Sequence, residues 1–171
     1  TNSALKVAHC SDTNCTSATI TALDATGTVG RFTSITIGAD GLGLVSYTDS
    51  TNSALKVAHC SDTDCTTATI TALDSTGLVG YYTSITIGAD GLGLISYRYD
   101  TSHDLKVAHC SDTDCTTATI TTLDETGNVG RDTSITIGAD GLGLISYRDD
   151  TNENLKVAHC ENAFCSPYFR R

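Results

Sequence analysis

Four of the five histidines and all eight cysteines of this chain fall on one spacing. His9, His59, His109 and His159 each precede the first member of a C-x4-C pair: Cys10/Cys15, Cys60/Cys65, Cys110/Cys115 and Cys160/Cys165. An even count at fixed spacing reads as four local disulfides made in an oxidising compartment. Zinc is the competing chemistry. Structural zinc sites, however, bring a second thiolate pair close to the first, and here successive pairs lie 50 residues apart. A bridge over so short a loop contributes about 2 kcal/mol on the chain-entropy account.

The four histidines could ligate a metal or move protons. Their recurrence on one strand face beside a cystine favours a structural role, with each imidazole bonded to the Thr facing it. His103 stands outside the pattern and is expected as an isolated surface residue. Asp62 with Asp64, and Asp112 with Asp114, form Asp-x-Asp pairs inside the Cys-bounded turns. Calcium takes clustered oxygen ligands, but Asn14 replaces the second Asp in the first copy and no EF-hand glycine follows. Turn capping is the favoured reading. Asn14-Cys15-Thr16 is a glycosylation sequon with a cysteine at its centre. No metal or cofactor is expected. Catalysis needs an asymmetric set of different residues, and near-identical copies do not supply one, so the chain is expected not to be an enzyme.

What positions these groups is a repeat. The hexapeptide LKVAHC begins at Leu5, Leu55, Leu105 and Leu155, dividing 171 residues into units 1–50, 51–100 and 101–150 and a cap, 151–171. Such an array buries its core between like units. The first two units differ at only ten positions, most of them at turns and unit junctions.

Within a unit, Leu5–Cys10 alternates as a strand, Ser11–Asn14 is a polar turn, and the Thr- and Ile-rich Cys15–Asp24 suits a second strand. Counting outward from Cys10 and Cys15 places His9 opposite Thr16, Val7 opposite Ala18 and Leu5 opposite Ile20. Thr26-Gly27 and Val29-Gly30 mark a connection. Asp40-Gly41 then joins two further strands, 33–39 and 42–47, as a two-residue hairpin with both turn residues at positive φ. In that register Ala39 faces Leu42, Ile37 faces Leu44, and Gly38 faces Gly43, leaving room for another backbone. Four short strands per period predict an all-β fold of tandem four-stranded antiparallel units, β-propeller-like blades. A β-sandwich is the alternative.

The phase of the repeat matters. With the Asp-Gly hairpin opening each blade, the chain starts on a lone hairpin, passes through two whole blades and stops on a blade lacking its regular last strand. The array is thus incomplete at both ends, and open edges invite another chain. The tail carries two of the three Phe residues and the one Pro. Phe164, Pro167, Tyr168, Phe169, Arg170 and Arg171 are the candidate anchor for a neighbouring copy.

The net charge of −10 argues against nucleic acid and anionic membranes as partners. No apolar run reaches the roughly 18 residues of a spanning helix, so no membrane insertion is expected. The lack of Met leads us to expect that a secretory leader has been removed.

The unit LKVAHC…C…ATIT…TSITIGADGLGLISY, with its PYFRR ending, resembles tandem repeats of about 50 residues found in secreted bacterial proteins of propeller-like type, over nearly the whole chain. That resemblance implies no particular activity. ADGLGLISY is similar to the Asp-box of sialidase propellers, but Asp40 and Gly41 are adjacent and no Trp follows, so no sialidase residue is carried over. The function expected is that of a non-catalytic, secreted structural protein. It would self-assemble as a filament or a multi-chain ring through its incomplete terminal units. The alternative is a multivalent lectin-like module in which Tyr81, Tyr82 and Tyr99 stack on carbohydrate.

Overall fold

Thirteen strands alternate with turns, and no helix occurs among the residues described in the computed structural model, 3–166. They are β1 (Leu5–Cys10), β2 (Ala18–Asp24), β3 (Val29–Ile37), β4 (Gly43–Asp49), β5 (Ala54–Cys60), β6 (Ala68–Asp74) and β7 (Tyr81–Ile87). β8 (Gly93–Tyr99), β9 (Asp104–Cys110), β10 (Ala118–Asp124), β11 (Arg131–Ile137), β12 (Gly143–Asp149) and β13 (Asn154–His159) complete the series. They form four antiparallel sheets in sequence order: β1-β2, β3-β4-β5-β6, β7-β8-β9-β10 and β11-β12-β13. The expected phase is therefore observed. A lone hairpin opens the chain, two complete units follow, and the last sheet has three strands.

Successive sheets stack face to face, with the first strands β3, β7 and β11 side by side. Both faces of a middle unit are consequently buried. In β5, Leu55 and Val57 on one face and Ala54, Ala58 and Cys60 on the other all lie inside. This explains why LKVAHC is apolar on both sides, where a half-solvated antiparallel strand would alternate.

All four expected disulfides are present, Cys10–Cys15, Cys60–Cys65, Cys110–Cys115 and Cys160–Cys165, and no cysteine is free. The place of the second cysteine in each pair is corrected. It was expected to open a strand, but Cys15, Cys65, Cys115 and Cys165 adopt φ of 51, 53, 53 and 51°. A left-handed residue cannot continue a strand ladder, so each belongs to the turn. The amides of Cys65 and Cys115 donate to Asp62 O and Asp112 O, both at 3.1 Å, which closes that turn. β6 and β10 accordingly begin three residues later, at Ala68 and Ala118. Nor are these cysteines at a solvated strand end. Cys65 and Cys115 are buried, and Cys115 packs with Cys110 into the core against the preceding unit, whereas Cys15, with no unit before it, is exposed.

Both hairpin registers differ from the sequence expectation as a result of such turns. Cys10 pairs with Ala18, His9 with Thr19 and Val7 with Thr21. In the second hairpin Ile37 pairs with Gly43 and Thr36 with Leu44. Asp40 does not take positive φ; Gly41 alone does, at 83°. The Gly41 amide donates to Gly38 O (3.0 Å) and the Gly38 amide to Leu42 O (2.7 Å). This is a type I turn followed by a left-handed residue, the three-residue hairpin.

Gly43 consequently faces neither Gly38 nor another backbone. A Cβ there would lie 2.9 Å from Cys60 Sγ, and the equivalent contacts are 2.8 Å at Gly93 and 2.7 Å at Gly143. The glycine in β4 makes room for the cystine beside it.

Candidate functional site: the joint between units

Most of the histidines and several of the acidic and aromatic residues named above converge on the joints between sheets. In a meander, the Asp-Gly turns and the Cys-bounded loops lie at one end of the strands. The connections from unit to unit lie at the other. Each joint therefore has two polar ends and an apolar middle.

The middle is built from the rear face of one unit and the front face of the next. At the second joint Leu44, Leu55 and Val57 meet Val79, Ile85, Ile95, Tyr97, Ala108 and Cys110. At the third, Leu94, Leu105 and Val107 meet Val129, Ile135, Ile145 and Tyr147. Hydrogen bonds between first strands set the stacking distance. Thr83 Oγ1 donates to Phe32 O (2.7 Å) and the Ile85 amide to Ser34 Oγ (3.2 Å). Thr133 and Ile135 repeat both bonds one unit on. Gly80, at φ 78, lets the next unit close in: a Cβ there would stand 2.7 Å from Leu55 Cα.

The connection end holds a carboxylate, phenol and ammonium. Asp24, the last residue of β2, accepts from the Tyr47 hydroxyl of the following unit (2.8 Å). Lys56 Nζ bridges Asp24 (3.3 Å) and Asp49 (2.7 Å). Asp74 with Tyr97 (2.7 Å) and Asp124 with Tyr147 (2.8 Å) repeat the bond, and Lys156 joins Asp124. Burial pushes the Asp24 carboxyl up, but the Thr26 amide, the Tyr47 hydroxyl and the Lys56 ammonium outweigh it and hold it below the usual range. Burial and the neighbouring carboxylate drive the Tyr47 phenol well above its ordinary value. The middle joint is altered. Tyr99 stands where the other units have Asp49 and Asp149, and Lys106 Nζ lies 4.2 Å over its ring.

The turn end holds the histidines. Their partners are carboxylates and not the facing Thr. His59 Nε2 bonds Asp40 Oδ2 of its own unit (2.8 Å), and His109 bonds Asp90 likewise (2.8 Å). His159 Nε2 lies 2.7 Å from Asp140. The expectation fails because the partner lies in a turn 19 residues earlier, where register counting does not look. On the other ring nitrogen, His9 Nδ1 meets Asp64 and His59 Nδ1 meets Asp114, both at 3.4 Å and both from the next unit. The two Asp residues of each Asp-x-Asp pair thus part company. Asp62 and Asp112 cap their own turns through Thr66 and Thr116. Asp64 and Asp114, each next to the left-handed cysteine of its turn, reach across the joint. His103 is not isolated: Arg98 Nη2 lies 2.6 Å from its Nδ1.

The aromatic candidates separate into two groups. Tyr81 and Tyr82 gather around Phe32, with ring centroids 5.6 and 4.6 Å away, and Arg131 covers the Tyr82 ring at 5.4 Å. Tyr99 belongs instead to Lys106 and the turn at Thr76, whose carbonyl accepts its hydroxyl (3.1 Å). Of the anchor residues, Phe164 packs edge-on against His109, centroids 4.6 Å apart. Pro167, Tyr168, Phe169, Arg170 and Arg171 lie outside the described residues.

No protein-family model matches this chain, and no curated protein sequence does. Among solved structures it is similar to an α-L-arabinofuranosidase from Lactobacillus brevis, with a TM-score of 0.54 at 13% identity over 78% of this chain. It spans 50% of that protein's length. At such identity the likeness is one of fold. Fold and joints together define an all-β, disulfide-rich protein of stacked four-stranded antiparallel units. No described helix is long and apolar enough to cross a membrane.

Proposed function

We propose that this chain is a non-catalytic, extracellular structural protein whose propeller-like units assemble by completing one another across copies. The first two strands of the last unit, β11 and β12, would join β1 and β2 of the next copy into one four-stranded sheet.

One observation carries this reading. The residues sealed at internal joints are bare at the ends. Leu44 is 1% exposed, whereas Leu144, on the β12 strand that would join the next copy, is 37% exposed. The opposite end repeats the pattern: Ile35 and Ile37 are 56 and 62% exposed, whereas Ile85 and Ile135 are buried. At the second and third joints β4 lies over β7 and β8 over β11. At the first joint no such strand precedes β1 among the described residues, and a groove lined by Leu5, Val7, Ala8, Thr33, Ile35 and Val45 runs between β1 and β3. The missing strand has the position of β12. Apolar area of this kind drives association at about 25 cal/mol per Å² removed from water. A heterologous contact builds a filament when its rotation does not close and a ring when it does. Four cystines fit an oxidising, extracellular setting.

Sedimentation and electron microscopy of the oxidised protein test this. Rings or filaments are expected, and Ile35→Lys together with Leu144→Lys should return the chain to a folded monomer. A parent chain that stays monomeric at all concentrations would overturn the reading.

A further inference from the structure

The turn end of the second joint gathers Asp40, His59 and Asp114, one ligand atom from each lying within 4.8 Å of the others. His59 Nε2 is 2.8 Å from Asp40 Oδ2. A carboxylate only accepts, so the neutral imidazole carries its hydrogen on Nε2 and offers a lone pair on Nδ1. That lone pair faces Asp114 Oδ1 at 3.4 Å. Two acceptors turned toward each other repel unless a positive charge stands between them. The ring is 8% exposed and close-packed, so it has little freedom to turn away.

An imidazole held by a carboxylate on one nitrogen and offering the other is how proteins orient histidine toward a metal. The spacing agrees as well. Zinc–nitrogen and zinc–oxygen bonds of about 2.1 Å at a tetrahedral angle put the two ligand atoms about 3.4 Å apart. We propose that His59 Nδ1 and the Asp114 carboxylate bind a divalent transition cation of the zinc class, tying one unit to the next. Water fills its other positions, and Asp40 acts as a positioning residue.

The neighbouring joints grade the site. His9 and Asp64 repeat the 3.4 Å pair, but no orienting carboxylate faces His9 among the described residues, and half of its side chain is in solvent. That copy binds more weakly. At the third joint Phe164 occupies the position of Asp114 and its ring lies 4.6 Å from that of His109, which closes the site.

Calorimetric titration of the oxidised protein with zinc sulfate, with magnesium sulfate as the control, tests the proposal. One tighter and one weaker site are expected for zinc and none for magnesium. Asp114→Asn, a change in an exposed loop, should remove the tighter class. Asp40→Asn should weaken it about tenfold, and Phe164→Asp should add a site at His109. In imidazole NMR spectra zinc should move the His59 signals and leave those of His109. Zinc that fails to saturate the parent protein, as when a proton holds Nδ1 instead, overturns the proposal. So does a titration unchanged by Asp114→Asn. The joint lies within one chain, so dilute protein serves and the result is independent of self-association.

Discussion

A carboxylate buried between two units must be surrounded by donors, because an unpaired buried charge is costly. Asp74 shows the balance. Burial raises its pKa, and the Thr76 side chain, the Tyr97 hydroxyl, the Thr76 amide and Lys106 bring it below the normal range. Tyr97→Phe removes one donor without changing shape, so it should cost about 1–3 kcal/mol, read as a lowered midpoint in urea. The same carboxylates set the acid limit. Their folded pKa values lie below the unfolded value of 3.8, so their contribution is complete above it and is lost as pH falls through the folded values. Thermal melting should be flat from neutrality to about pH 5 and decline below about pH 4; a decline beginning near neutrality would overturn this assignment. These residues were only partly legible. The cysteines declared their bonds by spacing, but the burial of Cys65 and Cys115 depends on the unit stacked before them. The histidines declared their periodicity but not their partners, since Asp40 and Asp114 approach from separate turns, one of them in the next unit.

At the scale of the element, alternation and turn residues locate every strand, and the errors are those of turn geometry. Counting from Cys10 and Cys15 treats both as strand residues, but the left-handed Cys15, like Cys65 and Cys115 after it, makes the loop longer than its cystine implies. Asp40-Gly41 reads as a two-residue turn, yet only Gly41 adopts positive φ, and each pair shifts by one position. The three-residue form lets the Asp40 carboxylate accept from the Leu42 amide (3.0 Å) within the turn, a bond that counting residues does not reveal. Gly80, like Gly30 one unit earlier, is an element-level residue on which stacking depends. Gly80→Ala would force a side chain into φ 78 and against Leu55 Cα at 2.7 Å. We expect a loss of more than about 1 kcal/mol, with secondary structure by circular dichroism retained and the melting temperature lowered.

For the whole molecule, period and phase are the most legible features. Fifty-residue spacing and the position of the Asp-Gly turn are enough to expect the lone first hairpin, the two full sheets and the incomplete last one. The consequences of incompleteness are less so, because exposure at an end depends on which face each Leu and Ile takes, and that follows from the corrected registers. In such arrays stability is close to a sum over units and their joints. A chain lacking residues 51–100 keeps the phase intact and loses one joint. It should fold cooperatively and melt at a lower temperature; failure to fold would show that the joints are not equivalent.

The strand LKVAHC appears in this molecule once more than any of its fellows. Among the described residues β1, β5, β9 and β13 all carry it, whereas each of the other three strand types occurs three times. A sheet shared between two copies has one seat for it and two claimants: β13, already paired with β12, and the incoming β1, which matches it residue for residue from Leu to Cys. Joining copies in the proposed way would therefore be a displacement reaction in which like replaces like. The exchanged strand itself would contribute almost nothing, and the driving force would come from what arrives with it: β2, and the cover over Ile35 and Ile37. The outgoing strand would slow that reaction, since its pairing with β12 has to give way to the newcomer's. A chain ending at residue 150 leaves the seat empty and should assemble faster than the parent, as followed by light scattering.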